Sequence, residues 1–310
     1  MAESSNKTRS RVLITGGSGL VGRYLTSSLL SEGYGVAHLS RKQDQFGKVR
    51  VYRWDPGKGI IDPAVFNGVD YLIHLAGANI GEGRWSAERR IEIVRSRVDS
   101  SRLLHQTVVN NKIRLKAFIS ASAVGYYGSV TSGKIFIETD PPASDFLAST
   151  CRQWEESADA FEKSGIRTVK IRTAMVLEKN DSALRRLMMP ARHGIVFRLG
   201  SGHQYMPWIH ISDLCSIYLK AIEDQSFSGP YNAVSPQNVT HDEFMKTLGA
   251  IMNKPVFLPH IPSFVLSALL GEMSEVVLKG SRISSDKISG NGFLFAFDKL
   301  YDALDDLMKE

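Results

Sequence analysis

The sequence predicts an α/β protein with a doubly wound parallel sheet and a smaller C-terminal lobe. Three observations carry this. Short apolar runs alternate with longer amphipathic stretches through roughly the first 175 residues. A glycine-rich turn follows the first apolar run and opens the first helical pattern. After about residue 180 the elements shorten and prolines multiply, from Pro190 through Pro207 and Pro230 to Pro262.

The elements follow in order. Residues 11–15 (Arg-Val-Leu-Ile-Thr) read as a buried strand, and 20–32 as a helix stopped by Gly33. Strands are expected at 35–40, 69–75, 117–120 and 168–172. Helices are expected at 86–109, which is basic, and at 145–163, with Gly165 at its C-terminal end. Parallel strands joined by helices of this length need right-handed crossovers. In the smaller lobe, Thr240 and Glu243 form a capping box that opens a helix to about residue 253. Further helices are expected at 263–278 and 299–309. The reading divides the chain into a dinucleotide-binding unit, 11–175, and a substrate lobe, 176–310.

Composition narrows the function classes. Hydrophobic residues make up 43% of 310 and charged residues 23%, which supports a real core and excludes disordered, collagen-like and coiled-coil chains. No stretch nears ~20 uninterrupted apolar residues, so no transmembrane helix and no membrane partner are expected. The first ten residues are polar, without the apolar core of a secretory signal. The two cysteines, Cys151 and Cys215, lie far apart without metal-ligand spacing. A disulfide framework and a structural zinc are not expected, and a reducing cytoplasm is. The net charge of +6 suits nucleic acid or a phosphorylated ligand. Within the arginine-rich stretch 84–102, Glu88, Glu92 and Asp99 interleave, as on a solvated helix face. No nucleic-acid partner is therefore expected.

The strongest motif is Thr15-Gly16-Gly17-Ser18-Gly19-Leu20-Val21-Gly22. Gly16 suits a tight turn, Gly19 lets backbone approach a pyrophosphate, and Gly22 lets the helix pack on the strand. The helix N-terminus at Leu20 and Val21 offers free N–H groups to phosphate. The second strand then ends in Ser40-Arg41-Lys42. NAD-binding chains place an acid there. Two cations and a hydroxyl suit the 2′-phosphate of NADP instead, with Arg41 the main determinant. The alternative is that Arg41 and Lys42 are solvated surface charges.

With these residues placed, the chain resembles the short-chain dehydrogenase/reductase superfamily in its extended epimerase/dehydratase-like form, with a Rossmann sheet. His74-Leu75-Ala76-Gly77 stands where that family keeps its turn near the nicotinamide ribose. The segment from Ser120 to Tyr126 resembles the one bearing the catalytic serine, which makes Ser122 that serine. Arg172 sits in the strand before the substrate lobe, and Trp208 to Leu214 resembles a family segment. Asp55 falls where the family often binds the adenine amine.

One departure matters most. The superfamily's Tyr-x-x-x-Lys pair is absent, with Leu147 in the tyrosine slot and Cys151 in the lysine slot. Arg97, in Ser96-Arg97-Val98, replaces an asparagine. These changes resemble an atypical subgroup labelled sugar-nucleotide epimerase or cell-division-inhibitor-like. Its hallmarks match Asp145 to Glu155, Gly200 to His210, and Gly280 to Phe295.

A leucine has no proton to exchange. Cys151 is either an acid/base group or a small buried hydrophobe. Ser122 is expected to hydrogen-bond substrate. Tyr126 and Tyr127 are candidates for donating a phenolic proton, the alternative being that one packs in the core and the other caps the pocket; Trp208 is a candidate for the pocket wall, and Arg97 for an anionic substrate group or a structural ion pair. His203, Gln204 and His210 crowd one loop but receive no catalytic role. The resemblance implies an NADP(H)-binding oxidoreductase or epimerase acting on a small polar, sugar-nucleotide-like molecule. The alternative is a dinucleotide-binding sensor or scaffold without chemistry. A homodimer is expected by fold analogy alone.

Overall fold

The computed structural model describes residues 9–42, 47, 49–180, 183–192, 197–254 and 260–309. The polar opening read above lies largely outside them, since residues 1–8 are not described. Among the described residues, eight strands form the main sheet. They are β1 (Arg9–Thr15), β2 (Tyr34–Ser40), β3 (Arg50–Asp55), β4 (Ile60–Ile61), β5 (Val69–His74), β6 (Ala117–Ala123), β7 (Thr168–Thr173) and β8 (Gly229–Ala233). Their spatial order is β8-β7-β6-β5-β1-β2-β3-β4. All neighbours are parallel except β3 with β4. The chain winds outward from β1 to β4, then crosses back to β5 on the other side of β1. That reversal opens a crevice outside the carboxyl ends of β1 and β5, where such sheets bind ligands.

Alternation along each strand builds two cores. Val12, Ile14, Ile73 and Ile119 join one apolar cluster, while Leu13, Leu72 and Phe118 join another. All are fully buried, as strands covered by helices on both faces must be. Helix α1 (Leu20–Ser31) packs against α5 (Ile211–Glu223), and α2 (Ala87–Asn110) against α3 (Phe146–Lys163). Phe118 of β6 stacks on Phe161 of α3 with ring centroids 3.7 Å apart.

The remaining helices are α4 (Ala183–Arg192), α6 (His241–Ile251), α7 (Ser263–Leu270), α8 (Ser274–Leu278), α9 (Asp286–Gly290) and α10 (Leu300–Met308). A third cluster joins α4, α6 and α10 around Trp208. The Thr240–Glu243 capping box forms as expected, with both reciprocal bonds present. Ser86 and Asp145 likewise cap α2 and α3 through their side chains.

Some elements differ from the sequence reading. The helix expected at 263–278 is broken at Gly271, whose φ of +60° cannot continue a right-handed helix. Strand β3 was not expected, because Trp54 alone of its residues is fully buried. Strand β8 comes from the stretch assigned to the substrate lobe, whose chain the sequence reading expects to return to the sheet, and it completes the sheet there. Among the described residues, no helix is long and apolar enough to cross a membrane.

Phe118→Ala is expected to cost about 3–5 kcal/mol by leaving a cavity against Phe161, read as a lower urea midpoint at constant slope.

Candidate functional site

The glycine turn sits at the carboxyl end of β1, beside the turn that follows β5. Gly16 has φ +72°, and a Cβ there would lie 2.9 Å from the Ala76 nitrogen. A Cβ on Gly22 would lie 2.4 Å from the Gly16 oxygen, so α1 rests directly on the turn. Ser18 and Gly19 are exposed at the mouth of the crevice. Gly19 is the N-cap of α1, without a side-chain cap bond, and no acid occupies the first turn. The positive end of α1 at Leu20 and Val21 therefore faces the crevice without internal neutralisation.

Two buried histidines brace this turn. His38 fills the space behind Gly17, where a Cβ would meet its ring at 2.5 Å. The hydroxyl of Thr26 donates to the Gly22 oxygen at 2.6 Å, so His38 Nε2 donates to Thr26 Oγ1 at 2.8 Å. His74 carries a longer relay. The Ala76 nitrogen donates to Thr15 Oγ1 at 3.2 Å, and that hydroxyl donates to His74 Nδ1 at 2.7 Å. His74 Nε2 then donates to Ser100 Oγ at 3.1 Å, and Ser100 donates to the Ser96 oxygen at 2.7 Å. Burial pushes both rings down to about 4. They stay neutral near pH 7, as these tautomers require. The relay fixes Leu75, Ala76 and Gly77 between β1 and α2, and the Leu75 nitrogen donates to the Thr15 oxygen at 3.1 Å.

Beside the glycine turn, on the neighbouring strand, Ser40, Arg41 and Lys42 close β2. Arg41 and Lys42 are exposed, and the Lys42 nitrogen donates to Ser40 Oγ at 3.2 Å. Asp55 ends the neighbouring β3, two residues beyond Arg53, the register partner of Ser40. It is part-buried and 3.9 Å from Lys58 Nζ. The structure thus brings the glycine turn, the β2 cations, Asp55 and residues 75–77 to one edge of the sheet.

The opposite end of the crevice holds a buried charge network. Ser122 on β6 donates to Glu155 Oε1 at 2.7 Å. Arg172 grips Glu155 through two bonds of 2.8 Å each. It also donates to the Tyr127 hydroxyl at 2.8 Å and the Glu138 oxygen at 3.1 Å. Tyr127 donates in turn to Asn232 Oδ1 at 2.7 Å. Burial alone would lower the Arg172 guanidinium, but the bonds and charge of Glu155 outweigh it and raise it. Sequence reasoning named Ser122 and Arg172 but not their common partner, although Glu155 closed the hallmark stretch 145–155.

Several expected pocket residues lie elsewhere. Tyr127 is fully buried inside the network, pushed up to about 12 by burial, and lines no pocket. Trp208 is also fully buried, in the third apolar cluster, and donates its indole N–H to the Gln237 oxygen at 3.1 Å. Tyr126 is half-buried with the Arg172 guanidinium 3.6 Å above its ring. Leu147 and Cys151 stand side by side against the turn after β6, 3.6 and 3.9 Å from the Cβ position of Gly125. Burial pushes the Cys151 thiol up to about 12, so it stays protonated near neutrality. This environment matches the buried-hydrophobe alternative and not an acid/base role.

Arg97 does reach the crevice. Its guanidinium donates to the Ile93 and Ala78 oxygens at 2.9 and 3.0 Å and lies 5.0 Å over the Trp154 ring. Its Cζ is 3.0 Å from the Cβ position of Gly77. Among the described residues no carboxylate pairs with it. The ion pair held open for Arg97 in the sequence is therefore absent there. His210 caps α5 through Nδ1, and Gln204 donates to the Leu199 and Val277 oxygens, so both act on the backbone.

A doubly wound sheet with a glycine turn at its switch point, and a serine on the central strand opposite, defines a dinucleotide-linked protein of the short-chain dehydrogenase/reductase type. The family model described as NAD dependent epimerase/dehydratase family matches residues 12–234, and the chain belongs to that family. A second model, described as a domain of unknown function (DUF1731), matches residues 261–307, which places the chain in the atypical branch. The epimerase family protein ML0860 of Mycobacterium leprae is 34% identical over 305 residues, covering 98% of this chain and 97% of its own. A chloroplastic epimerase family protein of Arabidopsis thaliana is 31% identical, covering 100% of this chain and 90% of its own. Among solved structures, the human epimerase family protein SDR39U1 with NADPH is similar, at TM-score 0.85 and 30% identity. That match covers 96% of this chain and 98% of the human chain.

Arg172→Met is expected to destabilise the chain by about 3–5 kcal/mol, because it leaves Glu155 charged, buried and unpaired. Denaturant titration reads this. Acid is expected to act through the histidines. His38, His74 and His241 all lie near 4 when folded, against an ordinary 6.5. Between those values the unfolded chain binds more protons, so stability falls as pH drops from about 6.5 to 4. A flat urea midpoint across that window would contradict this.

Proposed function

We propose that the chain binds NADP(H) and carries out oxidoreductase- or epimerase-like chemistry on a small polar substrate. The observation that carries the cofactor choice is the β2 end, where Arg41 and Lys42 stand exposed beside the half-buried Ser40 and none of residues 40–42 is an acid. The glycine cradle supports the fit of a dinucleotide, since a Cβ at Gly16 or Gly22 would collide with backbone. The solved relative described with NADPH supports the same reading. In it, Gly16 to Gly22 hold the pyrophosphate, Arg41 and Lys42 the 2′-phosphate, Asp55 the adenine, and Leu75 to Gly77 the ribose beyond. The nicotinamide supplies or accepts a hydride when bound.

The chain's own groups then set what the substrate must offer. Ser122 spends its one proton on Glu155, so its oxygen is left to accept a bond from a substrate hydroxyl. Arg97, free of any described carboxylate, suits an anionic or carbonyl oxygen next to the 75–77 turn. Two buried free thiols fit a reducing, cytoplasmic setting. A second reading, a dinucleotide sensor without turnover, is favoured by the Leu147 and Cys151 slots, which hold no group that titrates near neutrality.

Calorimetric titration is expected to show NADPH binding more tightly than NADH. Arg41→Asp is expected to reverse that order by removing a cation and adding an acid beside the ribose. Unchanged NADPH affinity in that variant removes the NADP reading. Any NADPH-linked turnover that Ser122→Ala abolishes removes the sensor reading.

A further inference from the structure

We propose that the cavity between Trp85, the first turn of α3 and helix α8 is the substrate chamber, and that it takes a compact ring-bearing molecule without a diphosphate. The proposal deepens the functional reading above and rests on it for the source of the hydride. The cavity measures about 210 Å³, with Trp85, Phe146 and Leu147 on one side and Val276 on the other. Trp85 and Phe146 meet edge to face with centroids 5.2 Å apart. Leu147 occupies the tyrosine slot and touches the turn that follows the Ser122 strand. The cavity therefore reaches the first turn of α3 where it packs on the turn after the Ser122 strand. Its volume falls below the ~300–1,000 Å³ of pockets for larger ligands, the aromatic walls favour a flat ring, and Ser129 beside the charged lining residues suits polar substituents on that ring.

The charges point the same way. Asp145, Glu272 and Glu275 line the cavity, against the guanidinium of Arg90. Arg90 is already committed, paired with Glu272 and lying 4.7 Å over the Phe146 ring. Asp145 is committed as well, since it caps α3 at the Ala148 nitrogen. A diphosphate would enter an acidic wall with no uncommitted cation among the described lining residues. Its charges would lose water without gaining partners. A neutral ring brings no charge of its own to be stripped of water.

The outer wall comes from the C-terminal segment that matches a domain of unknown function. Tethers hold this segment over the cavity. Arg84 donates to the Ala268 oxygen at 2.7 Å, Gln204 donates to the Val277 oxygen at 3.0 Å, and Arg90 pairs with Glu272. The segment thereby gains a role, which is to shape the substrate chamber.

The test titrates indole and UDP-glucose separately into the full chain, with and without NADPH, by calorimetry. Indole is expected to bind and UDP-glucose is not. Leu147→Trp fills the chamber from α3 and Val276→Trp fills it from α8. Each is expected to weaken indole about tenfold or more, with melting temperature checked in parallel. Variants on opposite walls keep the test intact if one misfolds. No indole binding, indole binding that neither variant alters, or UDP-glucose binding that either variant blocks overturns the proposal. Failure of NADPH to bind the unaltered chain overturns the cofactor reading instead, and the indole titration without NADPH still decides this one.

Discussion

The Glu155–Arg172 pair is the interaction on which the far half of the site depends. It is buried, doubly hydrogen-bonded, and shared among four elements. Glu155 comes from α3, Arg172 from β7, Ser122 from β6, and Tyr127 from the turn beyond β6. Through Asn232 the network reaches β8, and Asn232 Nδ2 donates to the Ser284 oxygen at 3.1 Å, near α9. A single carboxylate therefore sets the position of the serine and joins the sheet to the C-terminal segment. Isolated buried pairs contribute little net stability, because desolvation offsets attraction. This one is compensated by neighbours on nearly every polar atom, so what it supplies is a fixed geometry.

The two ends of the crevice are built on different physics. At the dinucleotide end, shape dominates: missing Cβ atoms, a helix terminus, and neutral histidines that hold two turns together without adding charge. At the Ser122 end, charge dominates, with the Glu155–Arg172 pair buried beside the apolar Leu147 and the protonated Cys151. Arg97 lies between the two, held by backbone oxygens and stacked on Trp154. Burial lowers that guanidinium from its ordinary value, yet it stays charged near neutrality.

Much of the fold was legible in the sequence because its signals are local. The buried runs at Val12–Ile14 and Phe118–Ile119 need only alternation. The capping box at Thr240 needs only a neighbour three residues away. The glycine turn was legible for the same reason. What was not legible depends on contacts between distant residues. Nothing near Ser122 announces that Glu155, 33 residues on, takes its proton. Tyr127 and Trp208 looked like pocket residues because polar-tipped aromatics serve pockets and cores equally, and only packing decides. The break at Gly271 was hidden because glycine within an apolar run reads as tolerated until its φ is known. Strand β3 was missed because a strand covered outside only by the two-residue β4, with exposed Arg50 and Arg53, lacks the apolar run that marks the inner strands.

Strand β8 has a consequence for how the chain assembles. It pairs with β7 along five residues, yet it lies more than fifty positions downstream, after α4 and α5 have been made. Until it arrives, β7 presents a bare edge of unpaired N–H and C=O groups beside an apolar face. During synthesis from the N-terminus, the dinucleotide half is therefore a sheet waiting for its last strand. A chain interrupted between β7 and β8 would carry a complete glycine cradle on an open, self-associating edge. The lobe that shapes the substrate chamber is also the part that seals the sheet.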